Sequence, residues 1–136
     1  LLPATLRFVP WSASASPLNP EARVIPGDLE SPLNKDFYAN LKAQAWWELR
    51  RRFERTHKAV TAGEPYDPSD MISLPSDMPG LGTLRKELSQ ATRGKTGALK
   101  MLVNKTPSGT RSPNKADALV MAFWPVGSAY NISAFT

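Results

Sequence analysis

Asp117 is the carboxylate whose surroundings make it the strongest candidate for chemistry. It lies one turn into a predicted helix among small and apolar neighbours, where an unpaired charge is costly to bury. Asn114 lies on the same ridge of that helix, so both side chains can point toward one place. Cations surround the helix start at Lys105, Arg111 and Lys115. This arrangement suits a divalent metal ion beside a phosphate, and an ordinary ion pair between Asp117 and one of the cations is the alternative.

The residue types that are missing limit the metal chemistry. The chain has no cysteine, which excludes disulfides, thiolate zinc sites and cysteine nucleophiles. His57 is the single histidine, so a site built from several histidines is excluded as well. Any bound metal needs oxygen ligands, which favours Mg²⁺ or Mn²⁺.

The excess positive charge is concentrated in one stretch of the chain. The formal net charge is +5, and residues 84–117 carry eight cations against Glu87 and Asp117. A local basic surface predicts a polyanionic partner, and a solvated charged face is the alternative. Besides the cations around Asp117, Arg93 and Lys95 lie in a basic turn predicted over residues 92–97 and are candidates for DNA contacts.

The elements that must position these residues follow from periodicity and turn signals. The clearest is a helix over residues 36–61, with apolar residues every four positions, Asn34 as its cap and Gly63 after its end. The pair Trp46–Trp47 within it predicts core packing with one ring at a rim. The other predicted elements are short: a strand over 5–10, a long loop over 12–34, a strand at Met71–Leu74, a helix over Gly82–Gln90, a strand at Leu99–Val103, and a last helix that begins at Ser112-Pro113 and ends at Pro125. No apolar run reaches the length of a membrane span.

Two segments resemble known motifs. Residues 112–123, Ser-Pro-Asn-Lys-Ala-Asp-Ala-Leu-Val-Met-Ala-Phe, are similar to the closing motif of phage terminase large subunits, Ser-Pro-Asx-x-Ala-Asp-Ala before an apolar helix. Residues 37–50, with Phe-Tyr-Ala-Asn at their start and Trp-Trp-Glu-Leu-Arg at their end, resemble the helix of the same family that carries a Trp-Trp pair. The resemblance covers about residues 5–125, and the two motifs occur in the family's order.

The resemblance implies an α/β fold, the C-terminal portion of an RNase H-like nuclease domain with a mixed sheet flanked by helices. Residues 1–125 would form this part and residues 126–136 a trailing segment. The implied activity is a metal-dependent endonuclease that cuts concatemeric double-stranded DNA during genome packaging, with two Mg²⁺ or Mn²⁺ ions. The last acidic ligand falls on Asp117, and Asn114 is a weaker neutral ligand. The implied partners are the terminase small subunit and the capsid portal, in the bacterial host cytoplasm and transiently at the procapsid portal.

The family's other acidic ligands and its ATP-binding domain would precede Leu1, so the chain reads as one that begins within a longer protein. We therefore expect that it neither hydrolyses ATP nor cleaves DNA alone. An incomplete sheet would leave an open edge, so we expect self-association or partial disorder, chiefly over residues 12–34. The competing hypothesis is a non-catalytic basic module that binds DNA or docks to the capsid portal through residues 84–117. A general RNA-binding domain is a weaker alternative, since no aromatic single-strand platform is recognised.

Overall fold

A computed structural model describes residues 10–124 of the chain. These residues form a mixed α/β arrangement, as predicted, with a small antiparallel sheet of two strands. In chain order the elements are α1 (Asn34–Phe37), α2 (Leu41–Ala62), a 3₁₀ turn (Pro68–Asp70), α3 (Leu81–Gln90), β1 (Thr92–Lys95), β2 (Met101–Asn104) and α4 (Asn114–Ala122). The strand predicted over residues 5–10 lies outside the described residues except for Pro10. Pro125 and the predicted trailing segment 126–136 lie wholly outside them.

The long predicted helix is divided near its start. The prediction of one helix over residues 36–61 is wrong there, because the chain leaves the helical conformation between α1 and α2. Tyr38 forms a parallel bridge with Met101, and the Ala39 amide donates to the Met101 carbonyl at 2.9 Å. Asn40, and not Asn34, is the cap of α2, since its side chain accepts from the Ala43 amide at 2.9 Å.

The far end of α2 is built as predicted. Gly63 caps it with φ of 67°, a left-handed conformation that glycine adopts without steric cost. Beyond it, the predicted strand at Met71–Leu74 is wrong. The Ile72 amide donates to the Thr56 hydroxyl of α2 at 2.9 Å, so this segment is bound to a helix instead of a sheet.

The basic turn predicted over residues 92–97 is also wrong, because residues 92–95 form β1 and pair with β2 from Thr92–Asn104 to Lys95–Met101. The strand predicted at Leu99–Val103 is correct for Met101 and Val103, which are buried. Leu99 differs, because it has a φ of 63° in the hairpin connection and is 73% exposed. Leu99 therefore does not lie on the buried face of the strand that Met101 and Val103 share.

The core lies where α2, β2, α3 and α4 meet. Its most buried members are Tyr38, Ala43, Ala45, Ala116 and Val120. Trp46 is buried and Trp47 is partly buried against the core, as the prediction for this pair required.

The loop predicted over residues 12–34 is correct for residues 12–33, which contain no helix or strand longer than an isolated bridge, whereas Asn34 already begins α1. The loop is bonded to the start of α2, where the Leu41 amide donates to the Ala15 carbonyl at 2.7 Å. Within residues 10–124, no helix is long and apolar enough to cross a membrane.

Candidate functional site

The start of α4 presents Asp117 in its first turn. The helix begins at Asn114, and Pro113 precedes it without a side-chain cap. The helix start predicted at Ser112-Pro113, with Ser112 as a favourable cap residue, is therefore wrong. The Ser112 hydroxyl instead lies 3.1 Å from Oδ1 of the exposed Asn114. The Asp117 amide donates to the Pro113 carbonyl at 2.8 Å, which holds this turn closed.

Asp117 is paired with a lysine. Lys105 follows the end of β2, and its Nζ donates to Oδ2 of Asp117 at 2.5 Å. The two side chains are only 31% and 20% exposed, so the pair is partly shielded from water. Partly buried pairs of this kind contribute on the order of 1 kcal/mol to stability. The strand-to-helix connection thus carries the ion pair that the sequence offered as an alternative to a metal site.

Two residues of α3 hold this connection in place. Oε2 of Glu87 accepts from the Ala116 amide at 2.9 Å, which satisfies a donor at the start of α4. A negative charge at this end of a helix is also favoured by the helix dipole. Nε2 of Gln90 donates to the carbonyls of Lys105 and Arg111, at 2.8 Å each. We call Lys105, Asp117, Glu87 and Gln90 the carboxylate site.

The sequence did not predict the roles of Glu87 and Gln90. The available signal for Glu87 was its position as one of two carboxylates within the basic stretch. For Gln90 there was no signal, because a glutamine at the end of a helix is usually solvated.

The cations named from the sequence lie on two different surfaces. Lys105 and Arg111 belong to the connection that Gln90 holds, and Lys115 extends over the backbone of Gly80 before α3. Arg93 and Lys95 are exposed on β1. The guanidinium of Arg93 lies over the ring of Trp47 instead, 5.5 Å from the ring centroid.

The carboxylate site does not by itself make a complete metal centre. Across residues 10–124, no group of three or more His, Cys, Asp or Glu side chains is placed to hold a metal ion. Asp117 is a suitable oxygen donor for a metal, but its Oδ2 accepts from Lys105, and Oδ1 of Asn114 accepts from the Ser112 hydroxyl. Mg²⁺ is usually held by one or two carboxylates with waters and substrate phosphates. The described residues therefore do not complete a metal site by themselves.

Comparison with known proteins identifies the same fold in a viral enzyme. The chain matches the nuclease domain of the large terminase subunit gp2 of bacterial virus Sf6 with a TM-score of 0.74 and 30% sequence identity, over 85% of this chain and 52% of that one. A mutant form of that domain with manganese and beta-thujaplicinol, and another with calcium, each match with a TM-score of 0.71 at 30% identity over the same shares of the two chains. No protein-family model matches the sequence, and no curated protein matches it significantly.

The match confirms the resemblance predicted from the two motifs. The mixed α/β fold of residues 10–124 resembles part of the terminase nuclease domain, which is RNase H-like. The chain spans about half the length of that domain.

Proposed function

We propose that this chain is the C-terminal part of the nuclease domain of a phage or prophage terminase large subunit, and that it acts in viral genome packaging. In the complete protein the domain would cut concatemeric double-stranded DNA with the help of divalent metal ions. The observation that carries the proposal is the structural match over 85% of the chain at 30% identity. The position of Asp117 in the first turn of α4, next to the end of β2, supports it.

Asp117 would be this chain's ligand for Mg²⁺ or Mn²⁺. Its pairing with Lys105 fixes the direction of the carboxylate, and a metal ion would have to compete with the ammonium group. Asn114 would at most add a neutral oxygen, after release from Ser112. The remaining acidic ligands, and the ATP-binding domain that powers packaging, would belong to the protein upstream of this sequence.

The DNA contacts would come from cations of the basic stretch, of which Lys105 would have to leave its pair with Asp117. Binding through phosphates releases counterions, so affinity should fall steeply as salt rises. The candidates near α4 are Lys105, Arg111 and Lys115, and those on β1 are Arg93 and Lys95. In the whole protein, the terminase small subunit and the capsid portal would be further partners.

A manganese titration followed by nuclear magnetic resonance tests the role of Asp117. Paramagnetic Mn²⁺ broadens amide signals near its binding site even when affinity is weak. We expect broadening centred on the first turn of α4 that is lost in Asp117→Asn. Asp77→Asn, which removes an exposed carboxylate before α3, is the matched control and should leave the broadening unchanged. Broadening that persists in Asp117→Asn would remove the metal role.

A cleavage assay tests whether the 136-residue chain has nuclease activity without the rest of the protein. Because residues 10–124 bring together no group of three acidic or histidine ligands, we expect no cutting of plasmid DNA by residues 1–136 with Mg²⁺ or Mn²⁺. Robust cleavage that Asp117→Ala abolishes would support the nuclease assignment and contradict the expectation that the chain is inactive alone.

A non-catalytic basic module is the second candidate function, and the ion pair between Lys105 and Asp117 favours it. In that case the carboxylate serves to position a lysine, and the chain binds DNA or docks to the portal. Salt-sensitive DNA binding together with no manganese effect at Asp117 would identify this case.

A further inference from the structure

A groove separate from the carboxylate site lies between α2, the end of α3 and β1. Its volume is about 670 Å³. Apolar side chains form its floor, among them Leu49, Phe53 and Leu88. Three arginines from three different elements line it as well: Arg50 from α2, Arg85 from α3 and Arg93 from β1. We call this surface the arginine groove.

The arginines of the groove are almost unneutralised. No aspartate or glutamate is among the residues that line it. Arg50 approaches Glu54 at 3.7 Å, but both side chains are about half exposed, so the contact is weak. Within residues 10–124, neither Arg85 nor Arg93 takes part in an ion pair. Three guanidinium groups around an apolar floor are complementary to an anionic ligand that also carries apolar surface.

The shape of the groove favours a polypeptide over a nucleic acid. Nucleic-acid bases bind such surfaces by stacking on exposed aromatic rings. The Trp47 ring is already covered by the guanidiniums of Arg50 and Arg93, at 4.6 and 5.5 Å from its centroid, so a base would have to displace them. A duplex presents phosphates, which leave a concave apolar floor unfilled. An apolar side chain flanked by carboxylates fills the floor and meets the arginines at the same time.

We propose that the arginine groove is a docking site for an acidic segment of a partner protein. A leucine or aromatic side chain of that segment occupies the floor, and aspartates or glutamates on either side of it pair with Arg85, Arg93 and Arg50. The proposal does not depend on nuclease activity, because the groove shares no residue with the carboxylate site. It assigns Arg93, a candidate for DNA contacts, to the partner protein instead.

Selection from a random peptide library displayed on a surface, with the full 136-residue chain as bait, tests the proposal. We expect enrichment of peptides in which Leu, Phe or Trp is flanked by Asp or Glu. A synthetic peptide of the enriched sequence should bind with a Kd on the order of micromolar, and Arg85→Glu should weaken it about tenfold or more. Lys86→Glu changes the charge by the same amount on the next residue of α3, outside the groove lining, and should weaken binding much less.

Several results would overturn the docking proposal. One is the absence of acidic-apolar sequences among the selected peptides, and another is equal binding of the peptide to Arg85→Glu and to the wild type. A third is a loss of binding in Lys86→Glu equal to that in Arg85→Glu, because it would indicate attraction by net charge alone. Arg85→Gln replaces Arg85→Glu if the latter does not fold, as judged by its thermal melting. If a short DNA duplex or single strand loses as much affinity in the Arg85 variant and competes with the peptide, the groove is a nucleic-acid surface and the proposal is wrong.

Discussion

The carboxylate site and the arginine groove lie on two sides of α3 and use positive charge in opposite ways. At the carboxylate site Lys105 pairs with Asp117, and Glu87 accepts a hydrogen bond from the amide of Ala116 at the start of α4. In the arginine groove the cations surround an apolar floor and have no matching carboxylate in its lining. The cations of the basic stretch 84–117 are therefore divided between two surfaces, for which we propose different partners. Net charge along a sequence cannot separate them, because the separation depends on which face of α3 and β1 each cation occupies.

Both surfaces should depend on one shared core position. Leu84 on α3 is buried at 3% exposure within the core cluster. We expect Leu84→Ala to lower the free energy of unfolding by about 2–5 kcal/mol, the largest effect among these predictions, because it leaves a cavity under α3. Urea denaturation measures the loss, and both manganese broadening and peptide binding should weaken with it. Leu99→Ala, at a site 73% exposed, is the control and should change little. If only one of the two surfaces weakened, α3 would not be their common support.

The second prediction separates the two surfaces. Glu87→Ala removes the acceptor for the Ala116 amide, which we expect to cost about 0.5–2 kcal/mol, as for other helix caps. Hydrogen exchange at Ala116 should become faster, and peptide binding in the arginine groove should not change. Glu87→Gln keeps an acceptor oxygen in place and should recover most of the loss. Unchanged exchange at Ala116 in the alanine variant would show that the cap is unimportant.

The sequence predicted the parts of the fold whose signals are local. The end of α2, the span of α3, the division of Trp46 and Trp47 between core and rim, and the presence of Asp117 in the first turn of a helix all follow from periodicity or turn residues. The break before α2 did not follow, because Tyr38 and Ala39 leave the helix to pair with a strand more than sixty residues away.

The same limit applies to the carboxylate site. β1 carries Thr, Arg, Gly and Lys, and its four residues are all exposed, so no alternation of apolar and polar side chains marks it as a strand. Glu87 meets Ala116 across 29 positions, and Gln90 meets Arg111 across 21. Such contacts are set by the packing of α3 on α4 and leave no trace in local spacing. The arginine groove was missed for the same reason, since its arginines come from three elements.

The third prediction tests whether the ion pair with Lys105 competes with metal binding at Asp117. Lys105→Met keeps the length of the side chain but frees the Asp117 carboxylate. Stability should fall by about 1 kcal/mol or less, since the pair is only partly shielded. Manganese broadening at α4 should increase, because the competing ammonium group is gone. Lys95→Met removes the same charge from exposed β1 and should not increase it. No increase in Lys105→Met would favour the purely structural role of the pair.

The smallest expected effect is a change in stability at alkaline pH, which should alter binding at neither the carboxylate site nor the arginine groove. Tyr38 is buried at 1% exposure, and its hydroxyl lies 3.4 Å from Oε1 of Glu48. Burial first, and the negative charge of Glu48 second, raise the pKa of Tyr38 far above its ordinary value of 10.0. In the unfolded chain the phenol loses its proton near that value, whereas the folded chain retains it. Stability contributed by the neutral phenol is therefore complete below pH 10 and declines as the pH rises beyond it.

Tyr38→Phe cannot ionise, so its stability should decline less than that of the wild type above pH 10. The quantity to compare is the difference in the free energy of unfolding between Tyr38→Phe and the wild type, at neutral pH and at about pH 10.5. Between these pH values the difference should change in favour of the variant by about 1 kcal/mol or slightly less. Urea denaturation at both pH values measures the shift. Tyr66→Phe is the matched control, because Tyr66 is less buried than Tyr38, lies next to Glu64 and should give a smaller shift. An equal shift in both variants would mean that burial of Tyr38 is not the cause. A change in manganese or peptide binding in Tyr38→Phe at neutral pH would show that the two surfaces are coupled through the junction of α1 with β2, and not through α3 alone.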